Sequence, residues 1–128
     1  MKITIEIAPG ELIDRLSILE IKLTQITDPA KLANIRYEYD LTLVERQKLL
    51  PGQEQLEPLA AELKSINQEI WRIEDDIRER ERLRDFGAKF VALARSVYQT
   101  NDRRAAVKRR INDLLHSAIV EEKSYTAY

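Results

Sequence analysis

The 128-residue sequence predicts an all-α fold: an antiparallel bundle of about five helices with a short N-terminal β-strand, in one domain over residues 1–128. Three observations predict it: a heptad run of apolar residues, a helix-capping signal at Asp28-Pro29, and an alternating stretch at the N-terminus. The heptad run predicts one long helix over residues 55–84 with a coiled-coil seam. Its members are Leu56, Leu59, Leu63, Ile66, Ile70, Ile73 and Ile77.

The N-terminal strand is predicted by Ile3, Ile5 and Ile7, which alternate with polar residues. A lone strand is unstable in water, so it needs a partner. The candidates are the C-terminal tail around residues 120–125 and the same strand of another subunit.

The first helix begins at Pro9-Gly10 and is apolar on two sides. Ile18 and Ile21 lie opposite its main stripe. Such a helix is either sandwiched within the fold or used in oligomerisation, so a homo-oligomer through Ile18 and Ile21, or through the terminal strand, is one expectation. The main stripe consists of Leu12, Leu16, Leu19, Leu23 and Ile26.

The remaining helix boundaries are predicted from capping residues. Asp28 as N-cap and Pro29 at the first helical position begin a second helix, which runs to about Leu50 and ends at Pro51-Gly52. Asp85 is expected to cap a fourth helix after the heptad helix. A fifth helix is expected to begin at one of three capping residues, Thr100, Asn101 or Asp102.

The composition excludes several classes of function. The absence of cysteine excludes disulfides, thiolate catalysis and cysteine-based zinc sites. Only three glycines occur, which excludes a glycine-rich phosphate loop. No signal peptide and no apolar run long enough to cross a membrane is recognised, so a cytoplasmic location without membrane contact is expected.

A polar line flanks the heptad seam and is the first candidate site. Asn67, Trp71, Glu74 and Arg78 follow one another at helical spacing, with Asp75 adjacent. One interpretation is a helix flank carrying a Glu74–Arg78 ion pair. The other is a pocket that offers an aromatic surface, an amide, a carboxylate pair and an arginine, in which Glu74 and Asp75 are the catalytic candidates.

A second polar line, Arg104, Lys108 and Asn112, lies on the predicted fifth helix. Arg104 falls within the apolar arc, so its charge requires a partner, and Glu74 or Asp75 is the expected one. Residues 54–85 carry a net charge of −4 and residues 95–123 a net charge of +3. The two helices are therefore expected to face each other.

Arg95, Tyr98, Asn101 and Asp102 lie between these helices. Asn101 and Asp102 either cap the fifth helix or, with the nearby cations, help to bind an anion at its N-terminus. The complete set of predicted ligand-binding residues is Asn67, Trp71, Arg78, Arg95, Tyr98, Arg104, Lys108 and Asn112.

No zinc site is expected, since His116 is the only histidine, and no other specific metal site is predicted. Magnesium needs only carboxylates, which the heptad helix and the tail could supply. Nucleic-acid binding is disfavoured, because the net charge is −1 and the basic residues after Asp102 point in several directions. The carboxylates considered for magnesium are Glu74, Asp75, Asp76, Glu121 and Glu122, together with two pairs one turn apart, Glu11 with Asp14 and Glu54 with Glu57.

Three segments, residues 10–22, 67–78 and 90–125, resemble an uncharacterised family of small bacterial and phage proteins. Genes of that family often lie near those for surface-polysaccharide glycosyltransferases, which implies a connection to nucleotide-sugar or envelope-glycan metabolism. The middle segment is also similar to a second uncharacterised bacterial family with the same order of Asn, Trp, Glu-Asp and Arg. In that family a later helix carries residues matching Lys108 and Asn112.

The sequence therefore predicts a small helical protein that binds an anionic ligand, of the phosphate or nucleotide-sugar class, or a partner enzyme. One alternative is a metal-dependent hydrolase of phosphoesters or nucleotides. Another is an oligomeric adaptor without chemistry of its own. The residues alone do not decide whether the protein is an enzyme.

Overall fold

The computed structural model describes residues 1–49 and 54–128, which form four helices. They are α1 (Pro9–Gln25), α2 (Pro29–Lys48), α3 (Leu56–Arg82) and α4 (Ala88–Leu114). The all-α class is confirmed. Across these described helices, none has both the length and the apolar character that a bilayer span requires.

The core lies between α1, α3 and α4. The antiparallel helices α3 and α4 make the most extensive contact, and α1 packs against both of them and against α2. Residues of the heptad run face this core: Leu63 and Ile66 are buried, and Leu59 and Ile70 pack at the edge. The central cluster consists of Ile13, Leu56, Leu63, Ile66, Val107 and Ile111.

The first helix is sandwiched, as one of its two interpretations proposed. Leu16 and Leu19 from its main stripe are buried, and so is Ile21 on the other side, whereas Ile18 is half-buried. Because α1 contacts every other helix of the described structure, both of its apolar sides are used within the chain. Oligomerisation through Ile18 remains a prediction.

The second helix is peripheral. In the described part of the chain, α2 packs along α1, meets α3 through the ion pair of Arg46 with Glu57 near its end, and has no buried residue among its twenty. Its predicted beginning is confirmed, since Asp28 Oδ2 accepts a hydrogen bond from the Lys31 amide at 2.9 Å and Pro29 is the first helical residue. The predicted ending at Pro51-Gly52 lies outside the described residues.

The predicted N-terminal strand is wrong. The first eight residues contain neither strand nor sheet, and no strand occurs elsewhere in residues 1–49 or 54–128. Ile3 and Ile5 are largely exposed. Alternation describes which side chains share a face, but a strand also needs a second strand to satisfy its backbone. The tail at 120–125, which was the expected partner within the chain, is irregular.

The count of five helices is also wrong, because α4 runs unbroken through Thr100, Asn101 and Asp102. Capping residues are tolerated inside a helix when no glycine or proline ends it and its neighbour packs along it. Here Thr100 is buried within the helix instead of capping it. Asp85 is not the N-cap either: Gly87 holds that position, and Asp85 Oδ1 accepts a hydrogen bond from the Gly87 amide at 3.1 Å.

Candidate functional site

The candidate site is organised by a close contact between the beginning of α1 and the last turns of α4. The Gly10 amide donates a hydrogen bond to Asn112 Oδ1 at 2.7 Å. A Cβ atom on Gly10 would lie 2.6 Å from the Lys108 carbonyl oxygen and 2.8 Å from Asn112 Oδ1. Glycine at this position therefore lets the two backbones approach closely. The approach places polar side chains of α1 directly opposite those of α4.

Asp14 is the centre of a buried polar cluster, which consists of Asp14, Ser17, Asn67 and Arg104. Its carboxylate is 1% exposed and accepts hydrogen bonds from Arg104 Nε at 3.0 Å, from Arg104 Nη2, and from Asn67 Nδ2 at 2.8 Å. Asn67 Nδ2 also donates to Ser17 Oγ at 2.7 Å, and Ser17 Oγ donates to the Asp14 carbonyl oxygen at 2.8 Å. The cluster thus joins α1, α3 and α4 at one point.

The Arg104–Asp14 hydrogen bonds raise the pKa of the guanidinium, although partial burial acts in the opposite direction. The arginine therefore stays charged, and so it balances a carboxylate that has almost no access to water. The arrangement satisfies the expectation that Arg104 is paired, but Asp14 is the partner instead of Glu74 or Asp75, so the predicted partner is wrong.

Lys108 and Glu11 form a second ion pair next to the cluster. Lys108 Nζ lies 2.6 Å from Glu11 Oε2 and 3.6 Å from Glu121 Oε2 in the C-terminal tail. Burial tends to raise the pKa of Glu11. Hydrogen bonds and charge from Lys108 and Arg15 outweigh that effect, so its pKa lies below the usual value. Glu11 is therefore held ionised against α4.

Acidification is expected to weaken the contact between α1 and α4 through Glu11. Because its pKa in the folded protein lies below the unfolded value near 4.5, the ionised carboxylate contributes stability above that pH, which is lost as the pH falls through the folded-state pKa. The free energy of unfolding of wild type should exceed that of Glu11→Gln by on the order of 1 kcal/mol at neutral pH. Urea unfolding of both proteins across the acid range tests this, and a difference that persists far below pH 4.5 would contradict it.

The expectation that α3 and the basic helix face each other is confirmed by ion pairs along their contact. Arg103 Nη1 lies 2.9 Å from Glu69 Oε2, and Arg110 Nη1 lies 3.1 Å from Glu62 Oε2. Counting charge along the sequence identified this pairing of helices. It could not identify the partner of Arg104, because α1 was left out of the count.

Residues of the first predicted polar line surround a cavity of about 360 Å³, here called the Trp71 cavity. Arg78 pairs with Glu74 one turn away, as the ion-pair interpretation expected. Apolar residues of α1 and α3 supply the rest of the surface, Ile18 and Ile21 among them. The predicted residues found here are Asn67, Trp71, Glu74, Asp75, Arg78 and Arg104.

The second predicted line borders a larger cavity of about 460 Å³ between α4 and the C-terminal tail, here called the α4–tail groove. Arg104 lines both cavities, so the two polar lines meet only at this side chain. Arg95 is exposed and lines neither of them. The predicted residues in the groove are Tyr98, Arg104, Lys108 and Asn112, and Asn101 and Asp102 also line it.

The tail after α4 folds back along the helix and forms one side of this groove. Glu122 Oε1 lies 3.8 Å from Arg109 Nη1. Near the end of the chain the Tyr128 ring meets the Tyr98 ring edge-on at 5.3 Å, and its hydroxyl donates a hydrogen bond to Asp102. That hydrogen bond raises the pKa of Tyr128. The groove is therefore bordered by aromatic rings at one end and by ion pairs at the other.

The described residues hold no group of three or more His, Cys, Asp or Glu side chains that could bind a metal. Of the carboxylates considered for magnesium, Glu74 is paired with Arg78, Glu121 lies near Lys108, and Glu122 lies near Arg109.

Glu11 and Asp14 were considered only as a carboxylate pair for magnesium, so their role as the α1 half of the site was not predicted. Glu11, Asp14 and Ser17 recur every three residues, so they share one side of α1 and point at α4 and α3. A signal was present, since Asp14 lies among the apolar residues Ile13, Leu16 and Ile21 of this helix, and a carboxylate buried with them needs a partner.

Comparison with known proteins gives one match. No curated protein and no solved structure is significantly similar to the chain. A family model covering residues 1–128, described as a family of unknown function, matches the whole chain. The resemblance to an uncharacterised family is thereby confirmed, and the chain belongs to the family DUF6165, whose function is unknown.

Proposed function

We propose that this protein binds an anionic small molecule in the α4–tail groove. The observation that supports this is that cationic side chains outnumber acidic ones among the residues lining the groove, in a chain whose net charge is −1. Charge concentrated in a cavity attracts an oppositely charged ligand more strongly than the same charge spread over a surface. The cationic lining residues are Arg104, Lys108, Arg109 and Lys123, against the acidic Asp102 and Glu121.

The cationic side chains of the groove differ in how closely they are paired with carboxylates. Arg104 and Lys108 are paired closely with Asp14 and Glu11, so their charges are largely balanced and they offer N–H donors in fixed positions. Arg109 makes only long contacts, at 3.5 Å to Asp113 and 3.8 Å to Glu122, and is half-exposed. Such exposed pairs contribute little stability, so an anionic ligand can replace them at small cost. Arg109 is accordingly the arginine expected to contact the ligand directly.

The remaining lining residues favour a ligand with a ring as well as a negative charge. Tyr98 and Tyr125 offer aromatic surface against which a sugar or a base can pack. Asn101 offers an amide that can both donate and accept hydrogen bonds. The volume of about 460 Å³ lies within the range of small-molecule sites. A phosphorylated sugar or a nucleotide-sugar has this combination of groups.

Binding can be tested by titration calorimetry with UDP-glucose, UDP and inorganic phosphate as probes. Arg109→Ala is expected to weaken binding about tenfold, which corresponds to about 1.4 kcal/mol, because it removes a charged hydrogen-bond donor from the groove. Arg110→Ala is the matched control. This neighbour on the same helix is similarly exposed, pairs with Glu62 of α3, and does not line the groove.

The three probes separate the parts of the proposal. Binding of UDP and UDP-glucose that exceeds binding of phosphate would support a role for the tyrosines. Equal losses in Arg109→Ala and Arg110→Ala would show that only overall charge matters and would contradict the groove. Absence of binding by all three probes at millimolar concentration would contradict the proposed ligand class.

A further inference from the structure

The surface of α2 that faces away from α1 carries an apolar stripe. Its residues are spaced three, four, four and three apart, so they fall on one narrow side of the helix. Tyr37, Leu41 and Val44 are 55%, 49% and 51% exposed. The stripe, here called the α2 stripe, consists of Ala30, Ala33, Tyr37, Leu41 and Val44.

An uncovered stripe on this helix has a physical cost. A twenty-residue helix gains most of its stability by packing an apolar side against a neighbour. Within the described structure α2 packs along one helix, α1, and meets α3 through a single ion pair at its end, and residues facing α1 such as Leu32 and Ile35 are only half-buried. Contiguous exposed apolar residues of this kind mark an interaction surface.

The stripe is symmetric about Tyr37. Ala33 and Leu41 lie four residues before and after it, and Ala30 and Val44 lie seven residues before and after it. When two copies of such a helix pack antiparallel on a two-fold axis at Tyr37, each alanine meets a larger residue of the other copy. Small residues then face large ones along the whole contact, which is how helix interfaces interdigitate.

The charged residues of α2 are also arranged about Tyr37, with opposite signs on its two sides. Lys31 and Arg36 precede Tyr37, whereas Glu38, Asp40 and Glu45 follow it. The basic residues nearer the end of the helix are paired within the chain, Arg46 with Glu57 of α3 and Lys48 with Glu45, so Glu38 and Asp40 supply the acidic charge of this half. An antiparallel copy brings the basic half of each helix opposite the acidic half of the other, while a parallel copy brings like charges together.

We infer that the α2 stripe is the docking surface for a second copy of this chain, packed antiparallel with the two-fold axis at Tyr37. The symmetry about one residue and the segregation of charge both favour a copy of the same helix over an unrelated partner. Lys2 Nζ lies 5.5 Å from the centre of the Tyr37 ring, so the N-terminal segment borders this surface. The interface is independent of the α4–tail groove.

Sedimentation equilibrium tests the association. Wild type at about 100 µM is expected to have twice the mass of the 14.9 kDa chain, since even a micromolar dissociation constant populates the dimer at that concentration. Leu41→Glu should sediment as a monomer with unchanged helicity, because it places a charge in the stripe. Val91→Glu is the matched control: Val91 is 51% exposed on α4, and its substitution should leave the dimer intact. A monomeric wild type, or a dimer that survives Leu41→Glu, would overturn the inference.

Cysteine cross-linking tests the relative orientation of the two α2 helices. Because the native sequence contains no cysteine, only the introduced residues can react with the cross-linker. In the antiparallel dimer a mixture of Ala30→Cys and Val44→Cys chains should be joined by a short bismaleimide, while neither variant alone should be. Residues 30 of the two copies would then be about 21 Å apart at 1.5 Å per residue. Cross-linking of each variant with itself would show a parallel pair and would overturn the proposed geometry.

Discussion

Replacement of Asp14 by alanine is expected to lower the free energy of unfolding by about 3 kcal/mol. The substitution leaves the Arg104 guanidinium without its carboxylate partner at the junction of α1, α3 and α4, and it removes one acceptor from Asn67. Breaking a buried pair by removing one member typically costs 3–5 kcal/mol, since the remaining charge stays poorly solvated. Arg104 retains some solvent access, which places the expected loss at about the lower end of that range.

Urea unfolding followed by circular dichroism measures this loss. Asp113→Ala is a suitable control, because Asp113 is largely exposed and its contact with Arg109 is long, so about 0.5 kcal/mol or less is expected. The double variant Asp14→Leu/Arg104→Met should recover much of the stability by removing both charges. A loss in Asp14→Ala no greater than that in Asp113→Ala would contradict the structural role of the buried polar cluster.

Substitution of Gly10 by alanine is expected to destabilise the protein by about 1–3 kcal/mol, which is the usual cost of overfilling a packed contact. In an unconstrained helix the same change is stabilising, because alanine has the higher helix propensity. Here the added Cβ would lie 2.6 Å from the Lys108 carbonyl oxygen, which belongs to the backbone and cannot rotate away. The helices must separate, and the hydrogen bond from the Gly10 amide to Asn112 lengthens.

Gly87→Ala is the matched control for this experiment. A Cβ atom on Gly87 would meet only the Asp85 side chain, at 3.2 Å, and that side chain can move. Thermal unfolding should therefore show a lower melting temperature for Gly10→Ala, by several degrees, and little change for Gly87→Ala. A Gly10→Ala protein as stable as wild type would show that the α1–α4 contact is looser than the structure describes.

The elements of the fold that were predicted correctly are those whose residue pattern is compatible with only one structure. The heptad run from Leu56 to Ile77 specifies a long helix because no other structure buries such a seam, and Asp28-Pro29 specifies a helix start. The patterns that led to wrong predictions are compatible with more than one structure. Thr100 to Asp102 are as compatible with a helix interior as with a cap, and the alternation at Ile3 and Ile5 specifies a strand only where another strand lies beside it.

The candidate site was predictable within each helix but not between helices. Helical spacing grouped Trp71, Glu74 and Arg78, which line one cavity, and Lys108 and Asn112, which line another. Which helix lies against Arg104 depends on how α1 docks, and that docking depends on Gly10. Glycine has no side chain and therefore does not stand out in a hydrophobic pattern. The pattern of the sequence for this reason did not reveal the contact of Gly10 that brings the site residues together.

The contact between Gly10 and Asn112 also has a consequence for biosynthesis. It joins residues 102 positions apart, and the Asp14–Arg104 pair joins residues 90 positions apart. During translation, α1 leaves the ribosome before its cationic partner Arg104, which follows Asp14 by 90 positions, and until then its carboxylates face water. The α3–α4 hairpin closes over a much shorter loop and can form earlier. Docking of the first helix onto that hairpin is therefore expected to be a late step in the folding of this chain.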